Sequence, residues 1–238
     1  MSSDRDAMLS RVRASLRSAY LPGALPSLAP WTPQATRASR AELTARFSSA
    51  LEAVGGEILL AASAAEAQRL VGELVARDGN GEVLIWPDDE LPLPLDGTVR
   101  AAGGRPIRPH LSAEREARRA DVRALNRPSL GITGALAALA DTGSLALVSG
   151  PRRPLVASLT PLTHLALLPV DRILPDMATF MAAHEATALA AASRNLVFIT
   201  GPSRTADIEM IITRGVHGPK RLVVVLLDFP PQVSPRPL

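Results

Sequence analysis

Short, uninterrupted apolar runs punctuate this chain: EILLAA at 57–62, EVLIW at 82–86, SLALVS at 144–149, LALL at 165–168, LVFIT at 196–200 and LVVVLL at 222–227. A strand with one wet face alternates apolar and polar residues. A strand apolar at nearly every position is covered on both faces. Between these runs lie segments with helical spacing, at 39–54, 64–77, 112–125, near 176–192 and at 204–213. Strands buried on both sides and separated by helices predict an α/β fold. The expectation is a Rossmann-like, mostly parallel sheet flanked by helices, over residues 39–228.

Local signals mark the ends of these elements. Ser39 and Glu42 have capping-box spacing, and Leu43, Phe47, Leu51 and Val54 supply the apolar face that follows. Gly55-Gly56 and Asp78-Gly79-Asn80-Gly81 are stops, Ser112 is read as a helix cap, and PDDELPLPLDG at 87–97 is read as an irregular loop. Met8, Val12 and Leu16 put one apolar stripe on a helix at 4–19, and Pro22, Pro26, Pro30 and Pro33 follow. Proline removes backbone donors and interrupts helices, so residues 1–38 read as a helix on an extended arm. Residues 229–238 form a proline-rich tail.

Composition excludes several classes of function. The 238 residues contain no cysteine, which removes thiolate nucleophiles, disulfides and cysteine-ligated iron–sulfur clusters. His110, His164, His184 and His217 have no metal-site spacing, and Lys220 is the sole lysine, so neither a metal nor a Schiff base is expected. Aromatics make up 3%, too few for a base-stacking surface, and the net charge is only +3 despite a pI near 10.4. The densest cations, Arg115, Arg118 and Arg119, are interleaved with Glu114, Glu116 and Asp121. No nucleic acid is expected as a partner. No run approaches the roughly 20 apolar residues of a bilayer span, so the expected location is cytoplasmic.

Three stretches carry chemistry. In GITGALAALADTGSLALVSGP, Thr133 and Gly134 precede the cluster Asp141-Thr142-Gly143-Ser144. That cluster is either a tight turn feeding a strand, or an anion cradle in which amides and hydroxyls bind while Asp141 serves as base. In ITGPSRTADIE, Gly201, Ser203 and Arg204 follow a strand end, with Asp207 and Glu209 beyond them. A helix starting at Ser203 or Arg204 would offer free amides to an anion, or Ser203 would simply cap it. In GVHGPK, His217 sits between glycines ahead of Gly218, as a proton-transfer group or as an incidental residue of a capping turn. His164 is read as a structural histidine bonding a carbonyl, and Arg152 and Arg153 as surface charges or as contacts to an anion.

Taken in order, GITGALAALADTGSLALVSGP, THLALLPVDRILPD and ITGPSRTADIEMIITRGVHGPKRLVVVLLD resemble the LUD-domain family of the lactate utilisation C type over about 131–228. The match includes Thr142, Gly143, Asp207, Glu209, His217 and Gly218. Many relatives have Glu at Asp141, and glycine-rich variants replace Pro151-Arg152-Arg153-Pro154. The resemblance implies a fold like that of sugar-phosphate isomerases and CoA transferases. It also implies a cluster-free component that works with iron–sulfur partners in oxidising L-lactate to pyruvate. A small carboxylate is the expected ligand near Thr142–Ser144 and Ser203–Arg204, where arginine and helix-end amides suit it.

On this basis Asp141, Asp207 and His217 are the candidate catalytic residues. Thr133, Gly134, Thr142, Gly143, Ser144, Gly201, Ser203, Arg204, Glu209 and Gly218 are the candidate ligand-binding residues. Two alternatives stay open at this stage: an independent enzyme on sugar phosphates or acyl-CoA esters, and a structural or regulatory subunit.

Overall fold

The computed structural model describes residues 4–18, 38–110, 112–184, 195–206, 212–214 and 218–233. The chain divides into two units, Met1–Gln34 and Ala35–Leu238. The first contains helix α1, Asp4–Ser18, with Asp4 and Asp6 in its first turn and Arg17 in its last, each suited to the helix dipole.

The second unit opens with α2, Arg40–Ala53, and the capping box forms. The Ser39 hydroxyl accepts from the Glu42 amide at 3.2 Å, and the Ser39 amide donates to Glu42 Oε2 at 2.7 Å. Phe47 and Leu51 bury the inner face of this helix. Strand β1, Glu57–Ala61, follows, then α3, Ala64–Asp78, and β2, Glu82–Ile85. The loop after β2 is ordered by Asp88, whose Oδ1 accepts the amides of Leu95 at 2.8 Å and Asp96 at 3.1 Å. It leads to α4, Asp96–Ala101, β3, Arg105–Ile107, and α5, Arg115–Leu125. Glu114, not Ser112, caps α5, accepting from the Glu116 and Ala117 amides. Ser112 instead bonds Asp121 Oδ2 through its amide and its hydroxyl. A carboxylate two residues further along is better placed at the exposed amides.

Next come β4, Leu130–Gly134, β5, Ala137–Leu139, β6, Ser144–Val148, and α6, Val156–Leu159. The order ends with β7, Thr163–Pro169, β8, Ile173–Leu174, α7, Met177–Ala183, β9, Leu196–Ile199, β10, Arg204–Ala206, β11, Ile212–Arg214, and β12, Arg221–Leu227. Six strands form one parallel sheet in the order β1-β12-β7-β4-β2-β3. Strand β7 is buried at every position and β12 at all but its first. This is the sheet the apolar runs predict. Helices α2 and α3 pack beside β1, and α6 beside β4 and β7.

Two features depart from the expectation. A second sheet, β8-β5-β6-β9, pairs β5 with β6 and β6 with β9 antiparallel. The apolar runs at 144–149 and 196–200 therefore belong to this smaller sheet. It has its own cluster of Ala137, Leu139, Ala146, Val148 and Phe180. Secondly, the described part of 204–213 is not helical. Arg204–Ala206 and Ile212–Arg214 pair antiparallel, and β-branched Thr205, Ile212 and Thr213 favour the extended backbone. The helix expected near 176–192 is described as α7, and the rest of that range lies outside the described residues.

Candidate functional site

The carboxyl ends of β2, β4 and β7 converge, and ligands of open α/β sheets bind at such ends. A cavity of about 390 Å³ opens there. Its wall includes Trp86 after β2, Gly134 and Ala135 at the end of β4, and Asp171 and Arg172 after β7. Leu136, Ala137, Val148 and Leu174 bring in the second sheet, and Glu90, Pro92, Arg153 and His184 close the rim. The site thus lies between the two sheets.

The polar groups are few and specifically held. Trp86 is buried, and its indole N–H donates to the Pro154 carbonyl at 3.1 Å. Glu90 is 5% exposed. It faces Arg152 Nε at 3.5 Å and Arg153 Nε at 3.6 Å, while Arg152 also pairs with Asp89. The Glu90–Arg153 contact is an ion pair too long for a hydrogen bond, and Glu90 Oε2 has no hydrogen-bond partner among the described residues. Arg172 is half-buried, and its Nη1 donates to the Ala135 carbonyl at 3.3 Å. Burial pushes this guanidinium below its ordinary value, and Asp171 partly restores it. Among the described residues Arg172 forms no ion pair. His184 stacks on Phe180 at 4.4 Å and is tied through Nδ1 to the Phe180 carbonyl.

An arginine offers five N–H donors in a fork that fits a carboxylate. One hydrogen of Arg172 is committed to a carbonyl, which fixes the fork at the wall. Asp171, the preceding residue, lines the same cavity and acts on this guanidinium electrostatically. The chain contains no cysteine, and no metal-binding cluster of three His, Asp or Glu occurs among the described residues.

The residues singled out from the sequence fall into separate places. Gly134 lines the cavity. Thr133 is buried one residue earlier, with Oγ1 2.8 Å from His164 Nε2. His164 therefore meets a hydroxyl rather than the carbonyl expected of it. Asp141-Thr142-Gly143-Ser144 is the turn between β5 and β6. Asp141 and Thr142 are exposed, and the Asp141 amide donates to the Pro175 carbonyl. Gly143 has φ +65°, and a Cβ there would sit 2.4 Å from the Leu51 nitrogen. The glycine is thus explained by the close approach of α2.

A hydroxyl chain runs from Thr142 to Ser144 at 2.8 Å and on to Thr200 at 2.7 Å. Gly201, at φ +80°, packs on Val54, and Arg204 donates to the Val54 carbonyl, closing the end of α2. With β10 in place of a helix, no helix amides gather at Ser203. Its amide instead donates to the Pro219 carbonyl at 2.9 Å, and Gly218 lies against its side chain. The two later motifs are therefore neighbours. Asp207, Glu209 and His217 lie outside the described residues.

Trp86, Glu90, Arg172 and His184 went unread as site residues. A signal existed for two of them. Trp86 ends the apolar run at 82–86 and Arg172 stands four residues beyond the run at 165–168, so both lie near the carboxyl ends of runs, where ligands of open α/β sheets bind.

The LUD domain profile matches residues 44–227. The chain belongs to the LUD-domain family. The family match spans β1 through β12 and so contains the whole cavity wall. Lactate utilization protein C of Macrococcus caseolyticus is 30% identical over 164 residues, 66% of this chain and 66% of that protein. The protein of that name from a Geobacillus species is 29% identical over 173 residues, 69% of this chain and 70% of its own. The chain thus spans about two thirds of the length of these curated relatives. Among solved structures, a DUF162 family protein from Deinococcus radiodurans superimposes with a TM-score of 0.55 at 22% identity, over 80% of this chain and 99% of that one. That likeness establishes a shared fold.

Proposed function

We propose that this protein is a cluster-free component of an L-lactate utilisation system, supporting oxidation of lactate to pyruvate beside iron–sulfur partner proteins. The observation that carries this reading is the similarity to proteins named lactate utilization protein C along about two thirds of the chain. A chain without cysteine holds no thiolate-ligated cluster, so the electrons would travel on partners. Within such a system this chain holds a small carboxylate in its cavity, with Arg172 as the anchor. Arg153, at the rim, is held in an ion pair with Glu90. The same function accommodates Asp141, Asp207 and His217 as acid–base groups.

The test is genetic. Deleting the gene in its host should abolish growth on L-lactate as sole carbon source, and a plasmid copy should restore it. A copy carrying Arg172→Gln should restore growth poorly while accumulating normally. Asp141→Ala, Asp207→Ala and His217→Ala belong in the same assay. Normal growth of the deletion strain on lactate would overturn the reading.

A further inference from the structure

The cavity is larger and more apolar than lactate needs. Its volume of about 390 Å³ falls within the roughly 300–1,000 Å³ range of pockets that enclose ligands of drug size. Beyond Arg172 the wall is formed by Trp86, Leu136, Ala137, Val148 and Leu174. Trp86, Ala137 and Val148 are at most 3% exposed, so they are held in packed cores and form a rigid surface. A three-carbon acid at Arg172 would leave much of the cavity unfilled.

We propose that the cavity takes an organic acid with an apolar tail, its carboxylate on Arg172 and a chain longer than that of lactate along the apolar wall. This rests on the reading of Arg172 as a carboxylate anchor, and it is independent of the lactate system. Arg153 forms an ion pair with Glu90, whereas Arg172 forms no ion pair among the described residues and feels Asp171 only electrostatically, so its remaining N–H groups are the donors offered to a carboxylate. Each methylene moved from water onto an apolar wall raises affinity about fourfold when fully buried.

The experiment is calorimetric titration of the full chain with L-lactate, 2-hydroxybutyrate, 2-hydroxyhexanoate, hexanoate and 1-hexanol. Affinity should rise at least tenfold from lactate to 2-hydroxyhexanoate. Hexanoate should bind and hexanol should not, and Arg172→Gln should lose at least tenfold for every acid while keeping its Tm. Lactate binding as tightly as the six-carbon acid would overturn the inference and leave the carboxylate anchor standing. Failure of every acid to bind, or hexanol binding as well as hexanoate, would overturn both.

Discussion

His164 shows how a single residue senses its surroundings. It lies on β7 with 1% exposure, bonded through Nε2 to Thr133, and its Nδ1 has no partner among the described residues. Burial pushes its pKa down from 6.5 to about 3. The folded value is below the unfolded one, so the unfolded chain takes the proton first as pH falls. The stability this neutral histidine allows is complete above pH 6.5 and drains away as pH falls toward about 3. The slope is about 1.4 kcal/mol per pH unit within that window. Urea unfolding at pH 7.5 and pH 5.5 should differ by about that amount in the native chain, and the difference should shrink in His164→Asn. An equal difference in the variant would assign the slope to another group. Nothing in the sequence distinguished this histidine from an exposed one except the apolar run it starts.

At the scale of elements, the glycines of the quoted stretch separate into packing and site. Gly131 sits in β4 where α6 crosses, and a Cβ there would lie 1.9 Å from the Ala157 carbonyl oxygen. Gly134, three residues on, has 3.4 Å to the nearest atom, which is ordinary contact. Gly131→Ala should therefore cost at least about 2 kcal/mol or prevent folding, because the backbone of α6 has to move. Gly134→Ala should keep its Tm within a few degrees and alter carboxylate affinity, since this residue lines the cavity. Equal Tm values for the two variants would show that α6 yields easily. Glycines inside a strand weaken its sequence signal, and that is why β4 was not legible as a strand. The described part of 204–213 departs for a different reason: its polar residues fit a helix start, and the extended backbone of β10 and β11 depends on their pairing.

At the scale of the molecule, Arg221 ties together parts of the chain far apart in sequence. At the start of β12 it donates to Glu57 Oε1 at 2.5 Å and Oε2 at 2.6 Å on β1, and to Asp78 at the end of α3. The hydrogen bonds from Arg221 hold Glu57 below the usual carboxylate range. Asp78 is also lowered: Arg77 and Arg221 outweigh the burial that would raise it. Both folded values are depressed, so this stabilisation is present above the ordinary carboxylate pKa and is lost as pH falls through the depressed ones. Arg221→Gln should cost about 1 kcal/mol at neutral pH, a value discounted for the guanidinium's partial exposure. The loss should shrink in high salt and at acid pH, as read from urea unfolding. A loss insensitive to both would mean that the alkyl stem, rather than the charge, is what holds the three elements.

Four of the six apolar runs mark strands of the parallel sheet, because a strand covered on both faces is apolar throughout, but the runs at 144–149 and 196–200 went to the smaller sheet, which apolarity alone does not distinguish. The cap of α2 was local, since a cap reaches only three residues along the chain. The absence of thiol chemistry followed from composition alone. Only the tertiary structure decided where the cavity lies, because its wall joins residues from Trp86 to His184 across two sheets. It also decided that Gly143 and Gly201 serve the packing of α2, which is a contact with backbone distant in sequence. Arg172 reaches the cavity wall in the same way: folding half-buries its guanidinium and ties it to the Ala135 carbonyl, and no spacing of residues encodes that.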